Sequence, residues 1–212
     1  MQASFRNAIA GLAIASMSAG CALSPPNGDS TIASQPVGSA FVTEAKSSGS
    51  YGSGTTRSTI TRAGKRTWQG KEAFVVKLPD GADLLINAQG AWIAFVKGDT
   101  PIVSYDPPLG YPFPLKVGAS SISKSNMTIH ATKKVVPVEV RFSVDAYEDV
   151  TTPAGTFKAF RIRSVDNGGG DNLNWYNVEL ATHVKQKQTR LPQHSSGPGT
   201  REIELVSIVK GK

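Results

Sequence analysis

A single cysteine, Cys21, is present in the 212 residues, so no disulfide can form within the chain and a disulfide framework is excluded. Histidine is nearly as scarce. His130, His183 and His194 lie far apart, and none belongs to a His-x-x-His or Glu-x-x-His pair, so no metal-ligand spacing is present and no metal or cofactor is expected. The chain has no Gly-x-Ser-x-Gly elbow and no glycine-rich phosphate loop leading into a helix. A Ser/His/Asp site assembled from His183, Asp106 and one of many serines has no local signature, since most chains of this length contain such triples. No catalytic residue is assigned. Helical periodicity is also hard to find, and beyond the first twenty residues no apolar stretch is long enough to cross a membrane as a helix.

The apolar run that does exist is N-terminal. Met1–Cys21 opens with Arg6, continues through Ala8-Ile-Ala-Gly-Leu-Ala-Ile-Ala-Ser-Met17, and ends in Ser18-Ala19-Gly20 before Cys21. About ten apolar residues are too few for a hydrocarbon core of roughly 30 Å, and the layout is that of an export signal over residues 1–20. Ser18-Ala19-Gly20-Cys21 resembles the lipobox of bacterial lipoprotein precursors, departing from it at Ser18, where leucine is usual. The resemblance implies lipidation of the Cys21 thiol, cleavage before it and acylation of the new amine. A thiol is the nucleophile that diacylglyceryl transfer needs. The alternative is an ordinary signal peptide with a chance cysteine. A lone thiol directly after Ala-Gly in an exported chain is better explained by lipid attachment than by a disulfide. Two or more acyl chains hold a protein on a membrane where one does so only marginally. Ala22 resembles the outer-membrane-sorted class of lipoproteins, which places the domain in the periplasm on an outer-membrane anchor.

The remaining chain is under 200 residues, enough for one domain with a real core. Removing residues 1–20 removes Arg6 from the 23 Lys+Arg and none of the 16 Asp+Glu, leaving 22 − 16 = +6 before the amine is acylated. That excess allows contact with anionic headgroups or wall polymer, and equally a plainly soluble charged surface. Export and modest basicity argue against nucleic acid. Ala22–Val37 is rich in Ser, Pro and Gly and reads as a flexible tether with a typical span of about 20–24 Å and a ceiling near 55 Å; residues 38–212 form the β-rich domain.

Glycine (21) and proline (13) are plentiful, as in an all-β chain with many turns. Phe41–Glu44 reads as a first strand. Ser47–Arg66 reads as a long, weakly packed edge strand or a loop. Glu72–Leu78, Asp83–Asn87 and Ala91–Lys97 carry apolar residues on both faces, as strands of a sheet covered on both sides do. In Tyr105–Leu115, four prolines (Pro107, Pro108, Pro112 and Pro114) argue against helix and central strand and for polyproline conformation. Its aromatics, Tyr105, Tyr111 and Phe113, either present a binding surface or cap an open end of the sheet.

Alternation is clearest in Val138–Val150, with Val138, Val140, Phe142, Val144 and Ala146 on one face. A loop at Thr152–Thr156, with Gly155 at positive φ, returns the chain into Phe157–Val165. A register centred on Pro153 sets Val144 opposite Ile162, Ala146 opposite Phe160 and Asp145 opposite Arg161. Asp166–Asn172 is oxygen- and glycine-rich but lacks a bidentate Glu for Ca²⁺, and its Asn-Gly pair is a turn signal. Leu173–Val178, Thr182–Arg190 and Arg201–Val209 complete the strands, with Lys185, Lys187 and Arg190 marking a solvated edge.

Three blocks now fall in order: Pro112–Gly118, Glu148–Phe160 containing Pro153-Ala154-Gly155-Thr156-Phe157, and Trp175-Tyr176 followed by Val184-Lys185. Together they resemble a broad family of uncharacterised bacterial envelope proteins, many of them lipoproteins. The resemblance spans Tyr105–Val209 and departs at Ser120-Ser121 and Ala181. It implies a single curved antiparallel sheet, a half-barrel or open β-barrel similar to lipoprotein-localisation factors, and brings no catalytic residues.

Three functions remain. One is a non-catalytic, lipid-anchored module binding an apolar ligand or an envelope partner. Another is a structural accessory of an envelope assembly, using the proline-aromatic stretch or the basic strand. The third is a hydrolase of cell wall or lipid, for which only Asp145, Glu148 and Asp149 cluster. Mass spectrometry of the processed chain is expected to find Cys21 as the N-terminal residue bearing acyl chains; a bare thiol, or cleavage elsewhere, would refute the anchor.

Overall fold

Period-two alternation punctuated by short turns folds the chain as one antiparallel meander. The computed structural model describes residues 28–29 and 32–211; the signal and lipidation assignments, Cys21 included, lie outside the described residues. The strands are β1 (Ala40–Gly49), β2 (Gly54–Trp68), β3 (Lys71–Lys77), β4 (Asp83–Ile86), β5 (Trp92–Lys97) and β6 (Thr100–Leu109). They continue with β7 (Ser120–Ile129), β8 (Lys134–Thr152), β9 (Gly155–Asp166), β10 (Gly170–Asn177), β11 (Thr182–Arg190) and β12 (Gly199–Val209). Each pairs with its neighbours in sequence, and β12 pairs back onto β1, from Ala40↔Val209 to Gly49↔Gly199. The all-β, single-sheet expectation therefore holds, and the curvature of the sheet runs to full closure.

Closure changes the reading of two strands. β2 is bonded to β1 and β3, and β11 to β10 and β12, so neither Ser47–Arg66 nor the Lys185–Arg190 segment is an edge. A closed barrel has no edges to protect. Lys185 and Lys187 instead form ion pairs with Glu204 (2.5 Å) and Glu202 (3.1 Å) across the ladder. Arg163–Asp171, Arg161–Glu148 and Lys158–Asp149 extend the same outward ladder over β8–β10. Over β8–β12 the outer face is therefore charged, the reverse of the apolar band of a membrane-spanning barrel.

The strand pattern of β8 and β9 behaves as its alternation requires, with one adjustment. Val144 does lie opposite Ile162, but the turn is the two residues Pro153-Ala154, so Thr152 pairs with Gly155 and Tyr147 with Phe160. A bulge at Asp145 absorbs the one-residue difference. In consequence Ala146 faces Arg161, not Phe160, and Arg161 pairs with Glu148 instead of Asp145. Gly155 has φ +129, a conformation that disfavours any side chain.

The expected two-sided burial of β3–β5 is present. Phe74, Val76 and Ile86 face the interior, while Ala73, Val75, Leu85, Ala94 and Val96 form a second apolar cluster on the opposite face, packed under Trp68 and Ile93. Arg66 reaches the Gly98 carbonyl (3.1 Å) and Asp99 (2.5 Å). The proline segment divides. Pro107 and Pro108 lie inside β6, contrary to the exclusion of a central strand there. They fit because β5 skips Tyr105–Pro108, pairing Ala94 with Ser104 and then Trp92 with Leu109, so the missing amide N–H groups break no ladder on that side. Ser120–Ile129, unassigned in the sequence, is a strand pairing β6 with β8.

Alternate connections gather at each end of the barrel. One end, the floor, holds the β2–β3, β4–β5, β6–β7, β8–β9 and β10–β11 connections and both described termini; the other end is the rim. Tyr111–Leu115 crosses the floor with Leu115 3% exposed. Gly28 accepts a hydrogen bond from the Leu115 amide (2.7 Å), and a Cβ on Gly28 would lie 2.0 Å from the Leu115 carbonyl oxygen. Ile32, in a single 3-10 turn (Ile32–Ser34), is buried against Phe74, Val76 and Ile86. Part of the stretch read as a tether is thus docked on the barrel.

Phe160, fully buried in the interior cluster with Phe142, Val144 and Ile162, is expected to cost about 3–5 kcal/mol on replacement by Ala, read from urea denaturation. Lys187→Gln on the outward ladder is expected to be near neutral.

Candidate functional site

Residues of β2–β11 enclose a cavity of about 640 Å³. Its two walls differ. Val138, Val140 and Phe142 on β8, with Ile60, Val76, Leu84 and Ile86 from β2–β4, make one wall aliphatic and aromatic. Ser164 on β9, Asn172 and Asn174 on β10, and Gln186 and Gln188 on β11 make the facing wall polar. Part of that polarity is internally satisfied: Asn174 donates to Ser164 (3.2 Å) and accepts from Gln186 (2.9 Å). Toward the rim the lining includes Asn167, Gly168 and Ser195, which are exposed, so the cavity reaches the surface there.

The floor of the cavity is aromatic. Tyr111 packs edge-on against Phe142 (5.3 Å between ring centroids), His183 (5.7 Å) and Tyr176 (5.8 Å), and its hydroxyl shares a hydrogen bond with His183 Nε2 (2.7 Å). Of the two roles open to Tyr111 and Phe113, capping the sheet is the one the structure realises. Tyr105 instead lines the cavity beside Trp92 and Phe95. His183 and Tyr111 belong to the lining and are partly buried. Burial, with a smaller contribution from nearby Arg62, lowers the His183 pKa to about 4, so the ring is neutral at neutral pH. Burial also raises Tyr111 and pushes Tyr176 up to about 12, keeping both hydroxyls protonated.

Arg62 completes the lining and is its only Lys or Arg among the described residues. It is 8% exposed, its guanidinium donates to the Ala181 carbonyl through Nη2, and its Cζ stands 5.6 Å from the Phe41 ring. Nε has no hydrogen-bond partner among the described residues. Burial lowers its pKa without depriving it of charge at physiological pH. Sequence reading missed this residue. Its signal was the Ile60-x-Arg62 spacing, which sets both on one strand face, but that signal has meaning only once the segment is known to be a strand with an interior side.

The other sequence candidates fall elsewhere. His183 Nε2 is held by a phenol, so the pairing of that atom with a serine nucleophile is not formed; His130 Nε2 meets Ser104 (2.9 Å). The Asp166 carboxylate accepts the Gly168 and Gly170 amides (2.8 and 3.0 Å), giving the Asn-Gly loop the structure of a turn. No group of three metal-ligating side chains forms among the described residues. Glu148 and Asp149 lie on the outward ladder, where Glu148 also accepts the Trp175 indole N–H (2.7 Å).

No family model matches the chain, and no curated protein matches it. Solved structures similar to the chain include the following three. One is a protein from Bacteroides fragilis described as exported, with a YmcC-like fold (13% identity, 83% of this chain and 97% of that one, TM-score 0.47). Another, from Parabacteroides distasonis, is described as a lipoprotein (12%, 82% and 96%, 0.42). The third is the hypothetical lipoprotein YmcC of Escherichia coli (12%, 84% and 89%, 0.44). Likeness at this level assigns no activity to the chain.

The neutral, buried His183 makes stability depend on pH. Its folded pKa, about 4, lies below the ordinary 6.5, so between these values the unfolded chain binds the proton and the folded chain does not. Stability is therefore expected to fall as pH drops from 6.5 toward 4, by on the order of 3 kcal/mol from this group. Urea midpoints across that range should fall less steeply for His183→Gln than for the wild type.

Proposed function

We propose that the chain is a lipid-anchored protein of the bacterial envelope that works without catalysis, holding an apolar ligand inside its barrel. The supporting observation is the cavity itself. A space of about 640 Å³ walled on one side by Val138, Val140, Phe142, Leu84 and Ile86 lies within the usual range of small-molecule sites, roughly 300–1,000 Å³. Apolar surface left facing such a space gains by covering it with a ligand at about 25 cal/mol per Å².

The anchor reading rests on Ser18–Cys21, and outer-membrane attachment on Ala22. Gly28 follows Cys21 by 28 − 21 = 7 positions, a reach of at most about 25 Å. With Gly28 docked on the floor, the floor would face the bilayer and the rim opening would face away from it. The accessory-subunit reading has less to draw on. Tyr111 and Phe113 are packed in the floor, and Lys185 and Lys187 are paired with glutamates, so both surfaces it relied on are engaged within the molecule.

The neutral dye N-phenyl-1-naphthylamine is expected to bind saturably, one per chain, with enhanced fluorescence. Val138→Trp, which fills the cavity from β8, should weaken it about tenfold or more. Absence of saturable binding to the wild type would overturn the proposal.

A further inference from the structure

We infer that the cavity takes a single-chain amphiphile with an anionic head, and that Arg62 binds that head. The inference rests on the apolar-cavity reading above and adds the chemistry of the ligand. Arg62 stands on the cavity wall, more than nine-tenths buried; among the described residues it has one side-chain hydrogen bond, to the neutral Ala181 carbonyl, and an unpartnered Nε. A buried guanidinium normally faces a carboxylate, because removing the charge from water is costly unless an opposite charge replaces the lost solvation.

No such carboxylate is supplied here. Asp166 is the only acidic residue of the lining among the described residues, and its carboxylate accepts the Gly168 and Gly170 amides at the rim. The groups around Arg62 at the aromatic floor are the phenols of Tyr111 and Tyr176 and the imidazole of His183, all neutral. The cation at the floor is thus left without a bonded carboxylate among the described residues, in a largely apolar space. A carboxylate or phosphate oxygen brought in on an acyl chain would accept from the guanidinium, while its chain lies along Val138, Val140 and Phe142.

A purely structural Arg62, held by the Phe41 ring and the Ala181 carbonyl, makes a different prediction. It would leave the cavity indifferent to the ligand's head. Full-length chain carrying Cys21→Ser, so that no acyl group of its own competes, is titrated at mildly alkaline pH with dodecanoate, dodecyl phosphate and dodecanol, each displacing N-phenyl-1-naphthylamine. At least one anion is expected to displace the dye at about tenfold lower concentration than the alcohol, and whichever anion is stronger identifies a free fatty acid or a phosphate head as the better match. Arg62→Met should bind the dye but lose the preference, and Arg62→Lys should keep part of it. Equal displacement by dodecanol and both anions in the unsubstituted-Arg62 chain overturns the inference, even where Arg62→Met fails to fold, and leaves the apolar cavity standing. Failure of the dye to bind at all removes the cavity reading and this one with it.

Discussion

Everything in this barrel depends on the ladder between its first and last strands. β1 and β12 meet over ten residue pairs separated by most of the chain, from Ala40↔Val209 to Gly49↔Gly199. Without that pairing the sheet would expose the backbone groups of two long strands and open its apolar inner face to water. With it, every strand has two neighbours and the interior becomes a space with a floor and a rim. Pairing at this sequence separation carries a large loop-closure cost, and the apolar surface that closure shelters, Phe41 and Leu205 among it, is what offsets the cost.

The interior that closure creates is not filled. Large side chains crowd the floor, where Tyr111, Phe113, Phe142, Tyr176 and His183 interlock edge to face, while the wall above them is lined by medium-sized aliphatic residues on one side and amides on the other. Filling a core completely usually gives the greater stability. A barrel that leaves several hundred cubic ångströms open has given up some of that packing. The floor rigidly seats its polar groups: the Tyr111–His183 hydrogen bond consumes two of them, and their protonation states are held neutral by burial.

Against this neutral surrounding Arg62 stands out by its charge. Its stem and guanidinium are sheltered by Phe41 and Ala181, yet no acid balances it from within the lining of the cavity. The outer surface shows the opposite habit: arginines and lysines of β9 and β11 find carboxylates on adjacent strands at nearly every turn of the ladder. Charges outside are compensated in a solvent that hardly demands it, whereas Arg62, where compensation counts most, meets no carboxylate among the described residues.

Much of the local structure was readable from residue order alone. The alternation of Val138–Val144 against Phe160–Ile162 determines which side of β8 and β9 is buried, and the double apolar faces of Glu72–Lys97 announce strands covered on both sides. Both depend on a period of two, which neighbouring residues carry by themselves. Other features were decided only when the chain closed. Pro107 and Pro108 could enter a strand because β5 passes them by, Lys185 and Lys187 ceased to mark an edge because β12 lies beside them, and Asp145 became a bulge because the turn at Pro153-Ala154 is one residue tighter than its symmetry suggested. Arg62 belongs to this second group. A strand's alternation tells which residues share its face, but only pairing between the two ends of the chain decides that this face lines an enclosed cavity, and hence that a surface-type cation is a buried one.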